Sequence, residues 1–174
     1  MQRDGPRRRV RRWADGDTAD CVRVLAEVHR GDGYPVNWPD RPGPWLAAGC
    51  PLGSWVAELD GRLAGHVGLS DGGDGDLAPA LWSARHGVPR EAAAVVGRLF
   101  VAPWARGHGF GALLVGRAAR EARHRGLHPV LDVVASDTAA AALYERLGWQ
   151  RLDTVRQRWG PEQWATVHCY AAPA

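Results

Sequence analysis

The chain has 174 residues, of which 45% are hydrophobic and 24% charged, the balance of a globular protein with a substantial core. None of its apolar runs approaches the roughly 18 residues that span a bilayer, and the N-terminus lacks the apolar segment of a secretory signal. We therefore expect a cytoplasmic protein that does not contact membranes. The cysteines are too few and too scattered for a zinc cluster or a disulfide framework. We predict reduced thiols and no metal at Cys21, Cys50 and Cys169.

The positive charge is concentrated at the N-terminus. The net charge is +3, yet residues 1–12 carry six arginines and one aspartate, so the rest of the chain has a small negative charge. A body without basic excess argues against a nucleic-acid partner. We predict a basic, disordered tail over 1–9 and one domain over 10–174, with contact to an anionic surface as the alternative role of the tail. All 22 basic residues are arginine, so arginine abundance alone does not indicate phosphate recognition.

The first half of the chain predicts a strand, a helix and a hairpin. A short strand is expected over 10–14, and a helix follows from Asp17 or Thr18 with one apolar face, formed by Cys21, Val24, Leu25 and Val28. The stretch 31–51 is crowded with Gly, Pro and Trp and allows only short helical turns. Two apolar runs then meet at Asp60-Gly61, the pair that suits a type I′ hairpin turn. The acidic loop 71–76 lacks the glutamate of an EF-hand and predicts a solvated turn.

The second half alternates helices and strands. It predicts a helix over 77–88, a long strand "AAAVVGRLFVAP" and a helix from Phe110 to just before Gly126. A buried strand "HPVLDVVA", a helix capped by Asp137 and two final strands follow. The apolar stripe of the helix from Phe110 is predicted to contain Phe110, Leu113, Leu114, Ala118 and Ala122. The pattern is mixed α/β.

The loop "RGHGFG" between the long strand and its helix carries the strongest chemical signal. Alternate glycines let backbone N–H groups converge without Cβ clashes. The helix that follows presents its unpaired N-terminal donors and its positive dipole end at the same point. We predict that this loop binds a phosphate or pyrophosphate, and the alternative is a plain strand–helix turn.

Two familiar phosphate motifs do not fit. "GALLVGRA" has the glycine spacing of a P-loop, but Arg117 and Ala118 replace its lysine and its hydroxyl residue. The dinucleotide fingerprint needs G-x-G-x-x-G, whereas Gly107, Gly109 and Gly111 give G-x-G-x-G.

A third pattern does fit. "LFVAPWARGHGFGALLV" resembles the Q/R-x-x-G-x-G/A signature of the GCN5-related N-acetyltransferase (GNAT) family, with Arg106, Gly109 and Gly111 in register. "DTAAAALYERLGW" is similar to the family's second signature, N-x-x-A-x-x-L-Y-x-x-x-G-F. The resemblance is sharpest over about 92–152 and implies a GNAT fold: a mixed central sheet of about six to seven strands, splayed at the centre and flanked by helices.

The resemblance implies acetyl-CoA as the donor and co-substrate. The strand around Leu99–Val101 would pair its backbone with the pantetheine arm, and the loop would hold the pyrophosphate. The donor-binding residues implied in this way are Leu99, Phe100, Val101, Arg106, Gly107, His108, Gly109, Phe110, Gly111 and Asp137. Aspartate at 137 stands where the family usually has asparagine, which leaves a direct contact between Asp137 and CoA open.

Tyr144 is the catalytic residue that the resemblance implies, since the family's matching tyrosine protonates the departing thiolate. The alternative is a packed tyrosine in an apolar stripe. The general base stays unassigned: Val95 and Val96 occupy the strand where some members carry a glutamate. Glu91 is remote, and the remaining candidates are His66 and His86.

The resemblance implies transfer of an acetyl group from acetyl-CoA to a primary amine by direct nucleophilic attack. The acceptor is expected to be a small-molecule or peptide amine bound among the 34–45 loop, the 70–90 segment and the last hairpin. An aromatic wall there would come from Trp38, Trp45, Trp82, Trp159 and Trp164. A homodimer stays open. The alternatives are a catalytically inactive GNAT-fold module for CoA binding or interaction, and nucleic-acid binding through residues 1–12.

Overall fold

The computed structural model describes residues 4–174. Its strands are β1 (Arg8–Arg12), β2 (Gly53–Leu59), β3 (Arg62–Ser70), β4 (Ala93–Val101), β5 (His128–Val134), β6 (Gln150–Arg158) and β7 (Trp164–Ala171). Its α-helices are α1 (Thr18–Asp32), α2 (Pro42–Ala48), α3 (Ala78–His86), α4 (Phe110–His124) and α5 (Thr138–Arg146). Within the described residues, none of these helices is long and apolar enough to cross a membrane.

The first strand begins earlier than predicted. β1 starts at Arg8 and pairs antiparallel with β2, from Arg8 opposite Leu59 to Arg12 opposite Trp55. The predicted tail over 1–9 therefore overlaps the strand, and its residues 1–3 lie outside the described part of the chain. The difference arises because an edge strand needs only backbone pairing, so charged side chains at its start do not oppose it.

The strands form one mixed sheet in the order β1-β2-β3-β4-β5-β7-β6. β4 and β5 run parallel, and the pairs β1–β2, β2–β3, β5–β7 and β6–β7 are antiparallel. The fold is therefore the predicted α/β arrangement with a mixed sheet and flanking helices. The β4–β5 pairing covers only Ala93 to Val95 on β4 and His128 to Val130 on β5. It ends there although both strands continue.

The chain groups into two compact units. The first contains the residues through Ser70 together with Arg98–Ala118, and the second contains Asp71–Gly97 and Ala119–Ala174. In the first unit, the apolar face of α1 is buried as predicted. The hairpin turn also follows the prediction, since Asp60 and Gly61 both have positive φ, 51° and 82°.

In the second unit, a cluster of buried aliphatic side chains from α3, β4, β5, β6 and β7 forms the core. Asp132 on β5 fixes the start of α3, since its carboxylate accepts from the backbone N of Leu77 at 2.7 Å and of Ala78 at 2.9 Å. Gly87, with φ of 64°, ends that helix as predicted.

The buried face of α4 differs from the predicted stripe in one place. Phe110, Leu114, Ala118 and Ala122 are buried, but Leu113 is 43% exposed. Val115 and Ala119 are buried instead. A buried stripe can continue from Leu114 through either neighbouring row of a helix, and only the packing partner decides between the two rows.

Candidate functional site

The loop between β4 and α4 has the backbone conformation that its glycines predict. Gly107 and Gly109 have φ of 83° and 75°, in the left-handed region that favours glycine. A short 3-10 turn over Pro103–Ala105 precedes them, and Gly111 lies in the first turn of α4. Two of the three glycines are therefore required by backbone geometry.

The loop delivers unpaired amides to one point. The first helical hydrogen bond of α4 runs from the backbone N of Leu113 to the carbonyl O of Gly109, at 3.2 Å. The amides of Phe110, Gly111 and Ala112 precede that bond, and such amides have no acceptor inside the helix. Together with the positive end of the helix dipole they form a site suited to an anion.

The side chains of His108 and Arg106 stabilise the loop through contacts with neighbouring residues. The His108 Nδ1 donates to the carbonyl O of Ala105 at 3.0 Å, which folds the ring back on the preceding turn. Arg106 forms an ion pair with Asp32 at the end of α1. A carboxylate therefore already balances the Arg106 charge, and the side chain ties the loop to α1.

Arg8 is a cation at this loop that sequence reasoning missed. Its Nη1 donates to the carbonyl O of His108 at 2.7 Å and lies 3.5 Å from the position that a Cβ on Gly109 would occupy. The predicted tail boundary hid it, because residue 8 was placed outside the folded domain. Pairing of β1 with the β2–β3 hairpin is what carries Arg8 to a loop one hundred residues away.

The C-terminal part of β4 is held firmly against β3. The backbone N of Ala102 donates to the carbonyl O of Ala64 at 2.7 Å. A Cβ on Gly65 would lie 2.7 Å from the carbonyl O of Phe100, so only glycine permits this approach. Phe100 is buried and its ring stacks on His66 at 5.4 Å between centroids. Its neighbours Leu99 and Val101 are partly exposed.

The second unit contains Asp137 and Tyr144. The Asp137 carboxylate accepts from the backbone N of Ala140 at 3.1 Å and caps α5, as predicted. Tyr144 is 6% exposed. Its ring contacts those of Trp149 and Tyr170, at 5.9 and 5.8 Å between centroids. The cap and these ring contacts fix where the phenol of Tyr144 lies within this unit.

Comparison with known proteins decides the family. Residues 22–149 match the model of the acetyltransferase (GNAT) family. The chain belongs to the GNAT family. The matched range contains both signatures, the loop at Arg106–Gly111 and the segment from Asp137 to Trp149, so the predicted resemblance is confirmed.

Solved structures agree on the fold. A GCN5-related N-acetyltransferase from Kribbella flavida is 20% identical with a TM-score of 0.69, covering 96% of this chain and 98% of its own. A Salmonella typhimurium protein assigned as an acetyltransferase, solved with its cofactor acetyl-CoA, is 20% identical with a TM-score of 0.66, covering 94% and 92%. The ribosomal-protein-S18-alanine N-acetyltransferase of Escherichia coli is 17% identical with a TM-score of 0.68, covering 96% and 94%. No curated protein matches the chain significantly.

Of the base candidates in this GNAT protein, His66 belongs to the core. It is fully buried, and its Nδ1 donates to the carbonyl O of Arg98 at 2.8 Å. Burial lowers the pKa of His66 to about 4. An imidazole with no exposed surface cannot take a proton from an acceptor amine in solution. His86 and Glu91 are exposed, at the end of α3 and in a 3-10 turn.

Three of the five tryptophans predicted for the acceptor site have separate packing roles, and the other two, Trp38 and Trp164, are exposed. In the second unit, Trp82 stacks on His128 at 4.7 Å, and both Trp82 and Trp159 pack against the core. In the first unit, Trp45 stacks against the Arg98 guanidinium at 4.4 Å. Within residues 4–174, no group of three or more His, Cys, Asp or Glu side chains is arranged to hold a metal ion.

Proposed function

We propose that this GNAT protein transfers the acetyl group of acetyl-CoA to a primary amine by direct nucleophilic attack. The observation that carries the proposal is the loop before α4. Gly107 and Gly109 adopt positive φ and direct the free amides of the first helical turn to one point. Two left-handed glycines within three residues are more than a plain strand–helix turn requires.

The residues present fit a pyrophosphate donor. The amides of Phe110 and Gly111 offer neutral donors, and Arg8 adds a cation beside the loop. Arg106 is paired with Asp32, so we assign it to holding the loop in place. The backbone of Leu99 and Val101, on the stretch of β4 beyond its pairing with β5, is proposed to bind the pantetheine arm.

Tyr144 is proposed as the general acid. The donor supplies a thioester, and cleavage of its C–S bond leaves a thiolate that must be protonated. A phenol with an ordinary pKa near 10 can donate that proton. The buried ring packs against Trp149 and Tyr170, which limits the positions open to the phenol. Asp137 contributes by capping the helix that carries Tyr144, and no contact to CoA is needed from it.

The acceptor amine must lose a proton when the new C–N bond forms. His66 is buried, and valines occupy positions 95 and 96, where some family members carry a glutamate. None of these residues can act as the general base. This observation favours the second function, a GNAT-fold module that binds CoA without turnover. The presence of Tyr144, with the ring contacts and the Asp137 cap that position its helix, favours the enzyme.

The experiment measures thiol release from acetyl-CoA across a panel of primary amines, with CoA binding followed by calorimetry. We expect release above the hydrolysis background with at least one class of amine, and loss of at least tenfold in turnover in Tyr144→Phe. Tight CoA binding without release for any amine contradicts the enzyme and supports the module. A folded wild-type protein that does not bind CoA contradicts both the enzyme and the module.

A further inference from the structure

Arg98 has an unusual backbone conformation near the middle of β4. Its φ is 49°, in the left-handed region that residues other than glycine rarely adopt. An irregularity of this kind inside a strand re-aims a side chain. The Arg98 guanidinium reaches α2, where it lies 4.4 Å from the centre of the Trp45 ring. Its Nη1 donates to the carbonyl O of Gly49 at 3.3 Å.

The neighbours of the guanidinium are shaped around it. A Cβ on Gly49 would lie 2.3 Å from the Cζ and from Nη2 of Arg98, so this position must be glycine while Arg98 keeps its place. The carbonyl of Arg98 accepts the hydrogen bond from the buried His66. Trp45 and Gly49 therefore hold the guanidinium, and His66 on β3 fixes the Arg98 backbone.

Among the described residues, that cation has no partner of opposite charge. Within residues 4–174, no carboxylate forms an ion pair with Arg98, and its Nε is buried without a hydrogen-bond partner. The buried Cys50 thiol lies beside the guanidinium, but burial raises the pKa of this thiol, so it does not supply a negative charge. Burying a donor of a charged group without an acceptor is unfavourable, because its hydration is lost and not replaced. The unpaired Nε and the adjacent Nη2 form the edge of the guanidinium that matches a carboxylate through two parallel hydrogen bonds.

Arg98 faces away from the loop that we propose for the donor. Successive residues of a strand point to opposite sides of the sheet. On β3, a Cβ on Gly65 would point toward Leu114 of α4, 3.3 Å away, whereas His66 stacks on Phe100 on the other side. Arg98 shares that second side, with Trp45 of α2. The phosphates of a donor bound at the start of α4 therefore lie on the opposite face from this cation.

We propose that Arg98 binds the carboxylate of the acceptor, which makes the acceptor a free amino acid or another amine with a carboxylate beside its amino group. The inference rests on the proposed acetyl transfer. Arg98 directly precedes Leu99, where the donor strand begins, so a carboxylate at residue 98 leaves an adjacent amine close to that strand. Access to this edge requires Trp45 or Gly49 to move, which we expect of a helix of seven residues in which only Leu46 is buried.

The test compares amines that differ only by the carboxylate: phenylalanine with phenethylamine, tryptophan with tryptamine, and leucine with isopentylamine. We expect the wild type to acetylate at least one amino acid with a kcat/KM tenfold or more above that of its decarboxylated partner. Arg98→Gln should raise the KM for that amino acid tenfold or more and change the partner amine by less than threefold. Arg98→Lys should recover part of the loss.

The matched control is Arg62→Gln. Arg62 also stacks on a tryptophan, Trp104 at 3.8 Å, but it lies at the exposed start of β3, so both members of each pair should be unaffected. Thermal unfolding separates binding from structure: removal of an uncompensated cation leaves the Tm of Arg98→Gln unchanged or raises it. A fall of several degrees, with equal loss for both members of a pair, overturns the proposal in favour of a structural role.

Binding of the products keeps the test independent of turnover. Calorimetry compares N-acetyltryptophan with N-acetyltryptamine, and N-acetylphenylalanine with N-acetylphenethylamine, on the wild type and on Arg98→Gln. If the wild type binds the acids more tightly than the amides without a carboxylate, and Arg98→Gln does not, the proposal is supported. This holds even if no amine is acetylated, because the lack of acetylation contradicts only the enzyme function. A wild type that prefers the decarboxylated amines and binds no acid overturns it.

Discussion

Gly107→Ala is the sharpest test of the loop before α4. Gly107 has φ of 83°, and a Cβ at this position would meet no atom within 4 Å. The substitution therefore introduces no clash, and its whole effect comes from backbone conformation. An L-residue in the left-handed region costs about 1–2 kcal/mol, which corresponds to roughly 5- to 30-fold in an equilibrium constant.

That free energy must appear in one of two measurable places. If the loop keeps its conformation, the strain lowers the free energy of unfolding by about 1–2 kcal/mol. If the loop relaxes to negative φ, the amides turn away, and binding of acetyl-CoA must restore them. The dissociation constant then rises by roughly 5- to 30-fold. Denaturant unfolding and calorimetric titration with CoA, done on the same preparation, measure both quantities.

Gly116→Ala is the matched control. Gly116 lies inside α4, where an added Cβ also meets nothing within 4 Å and φ is not positive. Alanine there should stabilise the helix by up to about 0.8–1 kcal/mol and leave CoA binding unchanged. If Gly107→Ala changes neither the unfolding free energy nor the CoA affinity, while Gly116→Ala behaves as stated, the assignment of this loop on its backbone geometry is refuted.

Four further changes test other parts of the molecule. Tyr144→Phe should lower turnover tenfold or more, within the 10²–10⁴ range of general acid–base groups, with CoA affinity unchanged, and equal turnover removes the assignment. Arg8→Gln should weaken CoA binding about five- to tenfold in low salt and less in high salt, because screening already reduces the attraction; a salt-independent result argues against a phosphate contact. Asp137→Ala should destabilise the fold by about 1 kcal/mol, whereas Asp137→Asn keeps the cap, and equal unfolding midpoints for the two contradict the cap. His66 binds a proton below about pH 6.5 in the unfolded chain but only below about pH 4 in the folded protein. The free energy of unfolding should therefore be unaffected by His66 above pH 6.5 and fall by about 3 kcal/mol as the pH drops to 4. His66→Gln should lack this pH dependence.

Much of the fold follows from interactions between residues that are close together in the sequence. The hairpin at Asp60-Gly61, the helix end at Gly87 and the cap at Asp137 each rest on the preference of one or two residues for a particular backbone conformation. The glycine loop before α4 is equally local, because the free amides of a helix start need no distant partner. Patterns of this kind survive in sequence because neighbours in the chain are neighbours in space.

The errors share a different cause. The sequence pattern predicts Leu113 in the buried stripe of α4, because periodicity alone does not choose between two adjacent rows of the helix. It predicts a tail at residues 8 and 9, although β1 begins at Arg8, because a run of arginines looks the same in an edge strand and in a flexible segment. Both outcomes depend on the packing partner: the strand that pairs with β1 and the surface against which α4 packs. Composition does not specify either partner.

The sequence by itself determined the order of strands and helices, the family signatures and the loop proposed to hold the donor, since each depends on residues close together in the chain. Only the tertiary structure brought Arg8 to the carbonyl of His108, buried His66, and placed Arg98 against Trp45 and Gly49 with no counter-ion among residues 4–174. Those features join residues up to a hundred positions apart. They exist because strand pairing and side-chain packing select distant partners by shape and charge, and no local pattern in the chain encodes that selection.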